Sequence, residues 1–359
     1  MRPTFEKLKV KEVTKETEEC VSIEFDVPEN LKEKFRFEPG QYLTLRKEIN
    51  GEDIRRSYSI CSGLKENKLC VAVKEVPKGR FSTFANQKLK KGDELEVMTP
   101  MGNFTTEINE NTNKSFVFFA AGSGITPIMS LTKTILQTAP KSDVTLFFGN
   151  KGFDSIIFKE EIEDLKNQFM NTFRVIHVFS RESIGNKLQK GRIDKEKVLS
   201  LNKAFLSGQD VDEVFVCGPE PMIHAVSDAF QEEGVPKDKI NFELFTTPGG
   251  KEDTKNIEKP VQPEKHVNAN VVIIIDGEET LLALDSDGDS ILDAGQKAGA
   301  DLPFACKGGV CCTCKAKVLS GEAKMDVNYA LEKDEVEAGY ILTCQSHPVS
   351  DKLTVSFDE

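Results

Sequence analysis

Three rhythms of apolar and polar residues follow one another along the chain. Up to about residue 108, short alternating stretches at 20–27, 42–45, 69–76 and 94–98 are separated by turns rich in Gly and Pro. Regularly spaced, period-two stretches predict the strands of an antiparallel barrel. From Ser115 the rhythm changes to a continuously apolar run at 116–121, followed by largely apolar stretches at 144–148, 174–179 and 214–216. These alternate with helix-length segments at 128–136 and 158–169. Strands buried on both faces and alternating with helices predict a doubly wound parallel sheet. Residues 246–266 then carry Pro, Gly, Lys and Glu with almost nothing apolar, the composition of a tether. Beyond them, 271–275, the Asp276-Gly277 turn and 280–284 predict a hairpin. Ser290-Ile291-Leu292-Asp293 has capping-box spacing for a helix to about residue 298, and 315–319 reads as a strand. The expected domains are residues 1–108, 109–246, a linker over 247–266, and 267–359.

Composition narrows the function more than the fold. A chain of 359 residues is too long for one ordinary core. Its hydrophobic content of 38% and charged content of 30% describe a globular protein, and a formal charge of −12 argues against a nucleic-acid partner. The longest apolar runs are far short of a membrane span, and the N-terminal residues lack the apolar core of a signal peptide. Nine cysteines, four of them clustered, suit the reducing cytoplasm better than a disulfide framework. Cys20, Cys61 and Cys70 fall in strand-like runs and read as small core residues.

The candidate chemistry is concentrated in a few phrases. Cys306, Cys311 and Cys314 have C-x4-C-x2-C spacing, and Cys344 completes a set of four. That is the ligand pattern of a plant-type [2Fe–2S] loop, in which each iron takes two protein sulfurs. Gly308 and Gly309 are expected to take positive φ so that the loop turns its amides toward the sulfurs. Zinc is the alternative, although zinc ribbons favour two CxxC knuckles and only one is present. Cys312 raises a question of register, which the spacing answers in favour of Cys311.

Arg56-Ser57-Tyr58-Ser59 offers a cation, hydroxyls and an aromatic along one strand. The groups suit a phosphate and a flat ring, but an ordinary strand with a solvated arginine fits the segment equally well. Gly79-Arg80-Phe81-Ser82-Thr83 precedes a helix-like 84–89; Ser82 is the expected cap, and a plain capped helix is the competing reading. Gly122-Ser123-Gly124-Ile125-Thr126-Pro127 joins a buried strand to a helix whose free amides suit a phosphate, with Pro127 at a first helical position. Cys217-Gly218-Pro219 ends another buried strand, where a doubly wound sheet binds its ligand. The plain alternative for Cys217 is a buried small residue. Ser180 and Arg181 after 174–179, joined by Arg192, present a hydroxyl and guanidinium pair where NAD sites place an acid; a surface loop of mixed charge is the alternative.

Asp285-Ser286-Asp287-Gly288-Asp289 fails the EF-hand test, having Ser290 at the sixth position and Gln296 at the twelfth. It reads as a solvated acidic turn. None of the four histidines has ligand spacing with another, and His266 and His347 are expected in loops.

Together these phrases, with Pro39-Gly40-Gln41-Tyr42 and Pro100-Met101-Gly102-Asn103-Phe104, resemble the ferredoxin–NADP reductase superfamily carrying a C-terminal plant-type ferredoxin. The resemblance covers the whole chain. It implies an antiparallel flavin-binding β-barrel, a doubly wound nicotinamide domain and a β-grasp 2Fe-2S domain. By the same resemblance Arg56 and Ser57 face the FAD pyrophosphate, Tyr58 packs on the isoalloxazine, and Ser59 sits near its N5. Gly79, Phe81, Ser82 and Thr83 form a second phosphate contact. Gly122, Gly124, Thr126 and Pro127 receive the nicotinamide dinucleotide, while Cys217, Gly218 and Pro219 lie beside its nicotinamide. Glu243 and Phe245, from the last strand of that domain, line the hydride pocket. The implied cofactors are FAD, a 2Fe-2S cluster and NADPH, with NADH as the alternative. The implied partner is a multicomponent oxygenase that takes electrons singly. An FMN- and NADH-dependent reductase of the phthalate dioxygenase type is the rival within enzymes, and an electron carrier or redox sensor without turnover is the rival outside them.

Overall fold

The computed structural model describes residues 4–182, 186–245 and 266–359. Its first sheet contains β1 (Phe5–Thr17), β2 (Cys20–Asp26), β3 (Tyr42–Ile49), β4 (Glu52–Ser59), β5 (Leu69–Lys74) and β6 (Glu94–Met98), with α1 (Arg80–Gln87) inserted before β6. The strand order is β4-β3-β6-β1-β2-β5. An antiparallel bridge from Ile60, just past β4, to Val71 in β5 joins the two ends of that order and closes the barrel. Leu8, Val10, Ile23, Phe25, Leu43, Leu45, Val71, Val73, Leu95 and Val97, spaced two apart on their strands, fill the interior. The apolar pattern does not reveal β1. Of its 13 residues only Leu8 and Val10 are buried, and pairing to β2 and β6 sets its length.

The second sheet is parallel, with order β11-β10-β7-β8-β9. Its strands are β7 (Ser115–Ala121), β8 (Asp143–Asn150), β9 (Phe173–Phe179), β10 (Glu213–Cys217) and β11 (Ile240–Glu243), and its helices are α2 (Ile125–Thr138), α3 (Lys159–Gln168), α4 (Lys195–Phe205) and α5 (Glu220–Glu232). The apolar runs are buried on both faces. Phe116 and Phe118 join one core, while Phe119 stacks on Phe147 at 4.7 Å and meets Phe230 edge-on. Each such ring contributes about 1.5–3 kcal/mol on burial. The chain leaves β7 toward β8 on one side and places β10 on the other, so the order reverses between β7 and β10. Ligands of doubly wound sheets bind at the strand ends beside such a reversal.

The barrel and the parallel sheet belong to one compact unit, and the third sheet to another. The third sheet has order β13-β12-β18-β14-β16, from β12 (Asn268–Ile275), β13 (Glu278–Asp285), β14 (Lys315–Ser320), β16 (Tyr340–Leu342) and β18 (Lys352–Ser356). The small strands β15 (Ala323–Met325) and β17 (Ser346–Pro348) pair separately, and α6 (Ile291–Lys297) and α7 (Lys333–Glu337) complete the unit. Parallel pairing of β12 with β18, antiparallel pairing elsewhere and α6 packed against the sheet give the β-grasp arrangement. The Ser290 hydroxyl caps α6 by accepting the Asp293 N–H at 3.2 Å.

The tether expected over 247–266 lies outside the described residues except for His266. His347 sits in β17 rather than a loop, 3.3 Å from Asp326. Among the described residues no helix is long and apolar enough to cross a membrane.

Candidate functional site

Three distant segments meet at the mouth of the parallel sheet. Ser59, the last residue of β4, donates its hydroxyl hydrogen to Glu243 Oε2 at 3.0 Å. Glu243 ends β11 and is paired in register with Cys217, the last residue of β10. Ser59 and Cys217 are buried. The protein packed around Glu243 pushes its carboxyl up to about 8, against a smaller pull from the Ser59 hydroxyl. Burial, and then the neighbouring Glu243, push the Cys217 thiol well up. A neutral acid, a hydroxyl and a neutral thiol therefore share one spot. Phe245 remains exposed beside them.

Gly124 explains how the two nicotinamide phrases come together. A Cβ there would lie 2.1 Å from the Cys217 carbonyl oxygen, so only glycine lets the turn after β7 reach the end of β10. Gly122, at φ +54°, begins a short 3-10 turn through Gly124 before α2 starts at Ile125. Pro127 thus lies inside the first turn of α2, not at its first position. Its missing N–H still falls among those with no intrahelical acceptor. The Thr126 hydroxyl folds back onto the Ser123 carbonyl at 3.0 Å. Gly218 approaches Met222 and Ala121 closely, and Pro219 stands ahead of α5 as its N-cap.

At the far end of the same edge, Ser180 donates both its N–H and its hydroxyl to the Asn150 carbonyl. The Arg181 N–H donates to the Lys151 carbonyl at 2.9 Å, and Gly191 N–H to the Phe179 carbonyl at 2.9 Å. Those bonds gather Ser180, Arg181, Lys151 and Arg192 after β8 and β9. Ser180, Arg181 and Arg192 are exposed. The adjacent Glu182 turns its carboxylate to the Phe153 N–H at 3.0 Å. Spacing does not single out Lys151; its one sequence signal is its place just past a buried strand.

On the barrel, Tyr58 lies with its ring 5.5 Å from that of Phe81, and Arg56 is exposed on β4 next to Ser57. The helix cap expected at Ser82 is corrected by the structure. Helix α1 starts at Arg80 with Gly79 as N-cap and no capping side chain. The Ser82 hydroxyl instead accepts the Val76 N–H at 3.2 Å, holding the loop before the helix. A Cβ on Gly79 would strike that hydroxyl at 2.3 Å. The first intrahelical bond runs from Thr83 N–H to the Gly79 carbonyl, so amides earlier in the turn suit an anion such as a flavin pyrophosphate.

In the second unit, Cys306, Cys311, Cys314 and Cys344 converge. The Cys306 and Cys311 sulfurs are 3.1 Å apart, and hydrogen bonds link Cys344 to both Cys306 and Cys314. The Gly308 N–H donates to the Cys306 sulfur at 3.3 Å. Soft thiolate donors with amides aimed at sulfur fit an iron–sulfur cluster. Cys312 is buried nearby. The loop's left-handed residues are Lys307 at +53° and Gly309 at +74°, not the expected Gly308. Lys307 is held there by its own bonds. Its ammonium donates to Asp293 at 2.7 Å and Gln296 at 2.9 Å, and its carbonyl accepts from Gln345 at 3.0 Å.

Three family models match successive parts of the chain. A family model described as an oxidoreductase FAD-binding domain matches residues 7–106. An oxidoreductase NAD-binding domain matches 118–228, and a 2Fe-2S iron–sulfur cluster binding domain matches 273–349. The chain is 41% identical to one of the subunits of the 1,2-phenylacetyl-CoA epoxidase of Escherichia coli strain K12, over 99% of this chain and 98% of that one. It is 32% identical to the ferredoxin reductase component of the 3-ketosteroid-9-alpha-monooxygenase of Rhodococcus rhodochrous, over 98% and 96% of the two chains. The solved structure of phthalate dioxygenase reductase shares the fold, with a TM-score of 0.59 and 22% identity over 98% of both chains.

Proposed function

We propose, for a chain that belongs to the oxygenase reductases with FAD-binding, NAD-binding and 2Fe-2S domains, that electrons run from NADPH to an oxygenase. Bound FAD supplies the conversion between a two-electron donor and a one-electron cluster. The oxygenase is the phenylacetyl-CoA epoxidase, the partner implied by the Escherichia coli relative. One observation supports the reading above all: Ser59 from the barrel and Glu243 from the parallel sheet share a 3.0 Å hydrogen bond, with Cys217 paired beside Glu243. The barrel and the parallel sheet thereby present polar groups to a single cleft.

In that cleft Ser59 and Cys217 would line the space for the reacting rings, and Glu243 would hold a proton beside them. Arg56, Ser57 and the amides from Gly79 to Thr83 bind the flavin phosphates, and Tyr58 packs on its ring. Gly122, Gly124, Thr126 and Pro127 receive the nicotinamide pyrophosphate, and Gly218 and Pro219 fix the floor. Ser180, Arg181 and Arg192, together with Lys151, favour a 2′-phosphate and hence NADPH. Cys306, Cys311, Cys314 and Cys344 hold the cluster through which electrons leave.

The purified protein is to be mixed with NADPH and the oxygenase component of a phenylacetyl-CoA epoxidase, following loss of phenylacetyl-CoA. Loss that depends on all three components is the expected result. No loss, with the flavin and cluster still reduced by NADPH, removes the epoxidase and leaves the reductase. Release of FMN on extraction together with a preference for NADH would replace this reading by the phthalate dioxygenase type.

A further inference from the structure

Cys61 and Cys70 stand directly opposite each other where the barrel closes. The Ile60–Val71 bridge sets that register, and the Cys61 N–H donates to the Cys70 carbonyl at 2.9 Å. The Cys70 N–H goes to the Ser62 hydroxyl at 3.3 Å, and residues directly opposed on antiparallel strands have Cα atoms about 4.5–5.5 Å apart, within the span of a disulfide. The Cys61 thiol also donates to the Cys70 carbonyl, at 3.4 Å. Both line a cavity of about 640 Å³, together with Ser62, Glu66 and Lys133. Lys133 is 5% exposed, and its ammonium lies 2.9 Å from Glu66 and 3.0 Å from Glu161. Cys70 is the more open of the two and Cys61 is buried behind it.

We propose that Cys61 and Cys70 are a peroxide-oxidisable dithiol, with Cys70 attacking the oxidant and Cys61 resolving. The Cys70 sulfur attacks hydrogen peroxide. An S–O bond forms as the O–O bond breaks, and the departing hydroxide takes a proton to leave as water. The Cys61 sulfur then attacks the sulfenic sulfur. The S–S bond forms, the S–O bond breaks, and the oxygen leaves with the Cys61 proton as a second water. Two thiols become one disulfide, and one peroxide becomes two waters. The bond ties the segment two residues beyond Ser59 to β5.

The test uses the full chain with its cofactors, freed of reductant and given one equivalent of hydrogen peroxide before denaturation, alkylation and peptide mapping. A Cys61–Cys70 linked peptide that dithiothreitol cleaves is the expected product, at the cost of two alkylatable thiols. Cys61→Ser is expected to retain its flavin, as a check on folding, and to leave Cys70 as a sulfenic acid that dimedone labels. Both cysteines alkylated as in untreated protein would overturn the proposal. So would Cys70 joined to Cys20, or Cys70 carried to sulfinic acid with Cys61 still free.

Discussion

The cleft at Ser59 and Glu243 and the sulfur loop both bury groups that water would otherwise stabilise, and they do it in opposite ways. In the cleft, Glu243 is kept neutral: packed protein raises its carboxyl to about 8, and one hydroxyl satisfies it. In the loop, hydrogen bonds from the Cys311 and Cys344 thiols, and then from the Gly308 and Val310 amides, hold the Cys306 thiol well below its ordinary value. The cleft therefore suits a step in which charge moves with a proton or hydride. The loop suits a site where charge is held on ligands and only electrons pass. Their construction differs as well. Three of the four loop cysteines lie within nine residues, whereas Ser59, Cys217 and Glu243 come from three separate strands.

Removing a loop ligand is the strongest way to test the contrast. Cys344→Ser is expected to abolish the visible cluster absorption and transfer to a one-electron protein acceptor, while NADPH still bleaches the flavin. Equal loss of flavin reduction would mean that the two sites are not separable.

Glu243→Ala is expected to slow flavin reduction by NADPH roughly 100-fold in stopped flow, the scale of losing one hydrogen-bonding group at a reacting centre. The pH dependence follows from the raised carboxyl. An ordinary unfolded glutamate ionises near 4.3, so the folded protein alone holds this proton from there up to about pH 8. Stability contributed by the neutral form is thus complete below the unfolded value and is lost as pH rises through about 8. The reduction rate is expected to inflect near pH 8, and Glu243→Gln to flatten both the rate and the melting profile. An inflection that survives in Glu243→Gln belongs to another group.

Arg181→Ala is expected to raise the KM for NADPH roughly tenfold or more and leave that for NADH unchanged, since one charge-assisted hydrogen bond contributes about 1.5–3 kcal/mol. Parallel increases for both nucleotides would argue against a 2′-phosphate contact. Gly124→Ala forces a methyl toward the Cys217 carbonyl and is expected to cost about 1–3 kcal/mol, read as a lowered melting temperature. The smallest effect is expected from Cys312→Ser, which should keep the cluster spectrum. If Cys311→Ser kept it and Cys312→Ser lost it, the ligand register would shift by one residue.

How far the chain could be read before folding follows the same division. The parallel strands announced themselves because burial on both faces demands unbroken apolar runs, as in Phe116-Val117-Phe118-Phe119. Strand β1 did not, because its outward face is Lys and Glu and only two inward residues are buried. Ser82 looked like a cap from its neighbours alone, yet its hydroxyl is taken by Val76 across the loop. Gly308 looked like the left-handed residue, but side-chain bonds to Asp293 and Gln296 allow Lys307 to fill that role. Lys151 carries no motif and is brought beside Arg181 only by the parallel alignment of β8 and β9.

By itself the sequence determined what short-range chemistry dictates: the order of the three domains, the C-x4-C-x2-C loop with its fourth cysteine, and the strand-to-helix turn at Gly122–Gly124. Spacing along the backbone is enough for these, because neighbouring residues cannot be far apart in space. Only the tertiary structure decided that Ser59 meets Glu243 beside Cys217, that Cys61 faces Cys70, and that Lys133 lies between Glu66 and Glu161. Those contacts join residues far apart in sequence, and the burial that shifts Glu243 exists only once the sheets have packed.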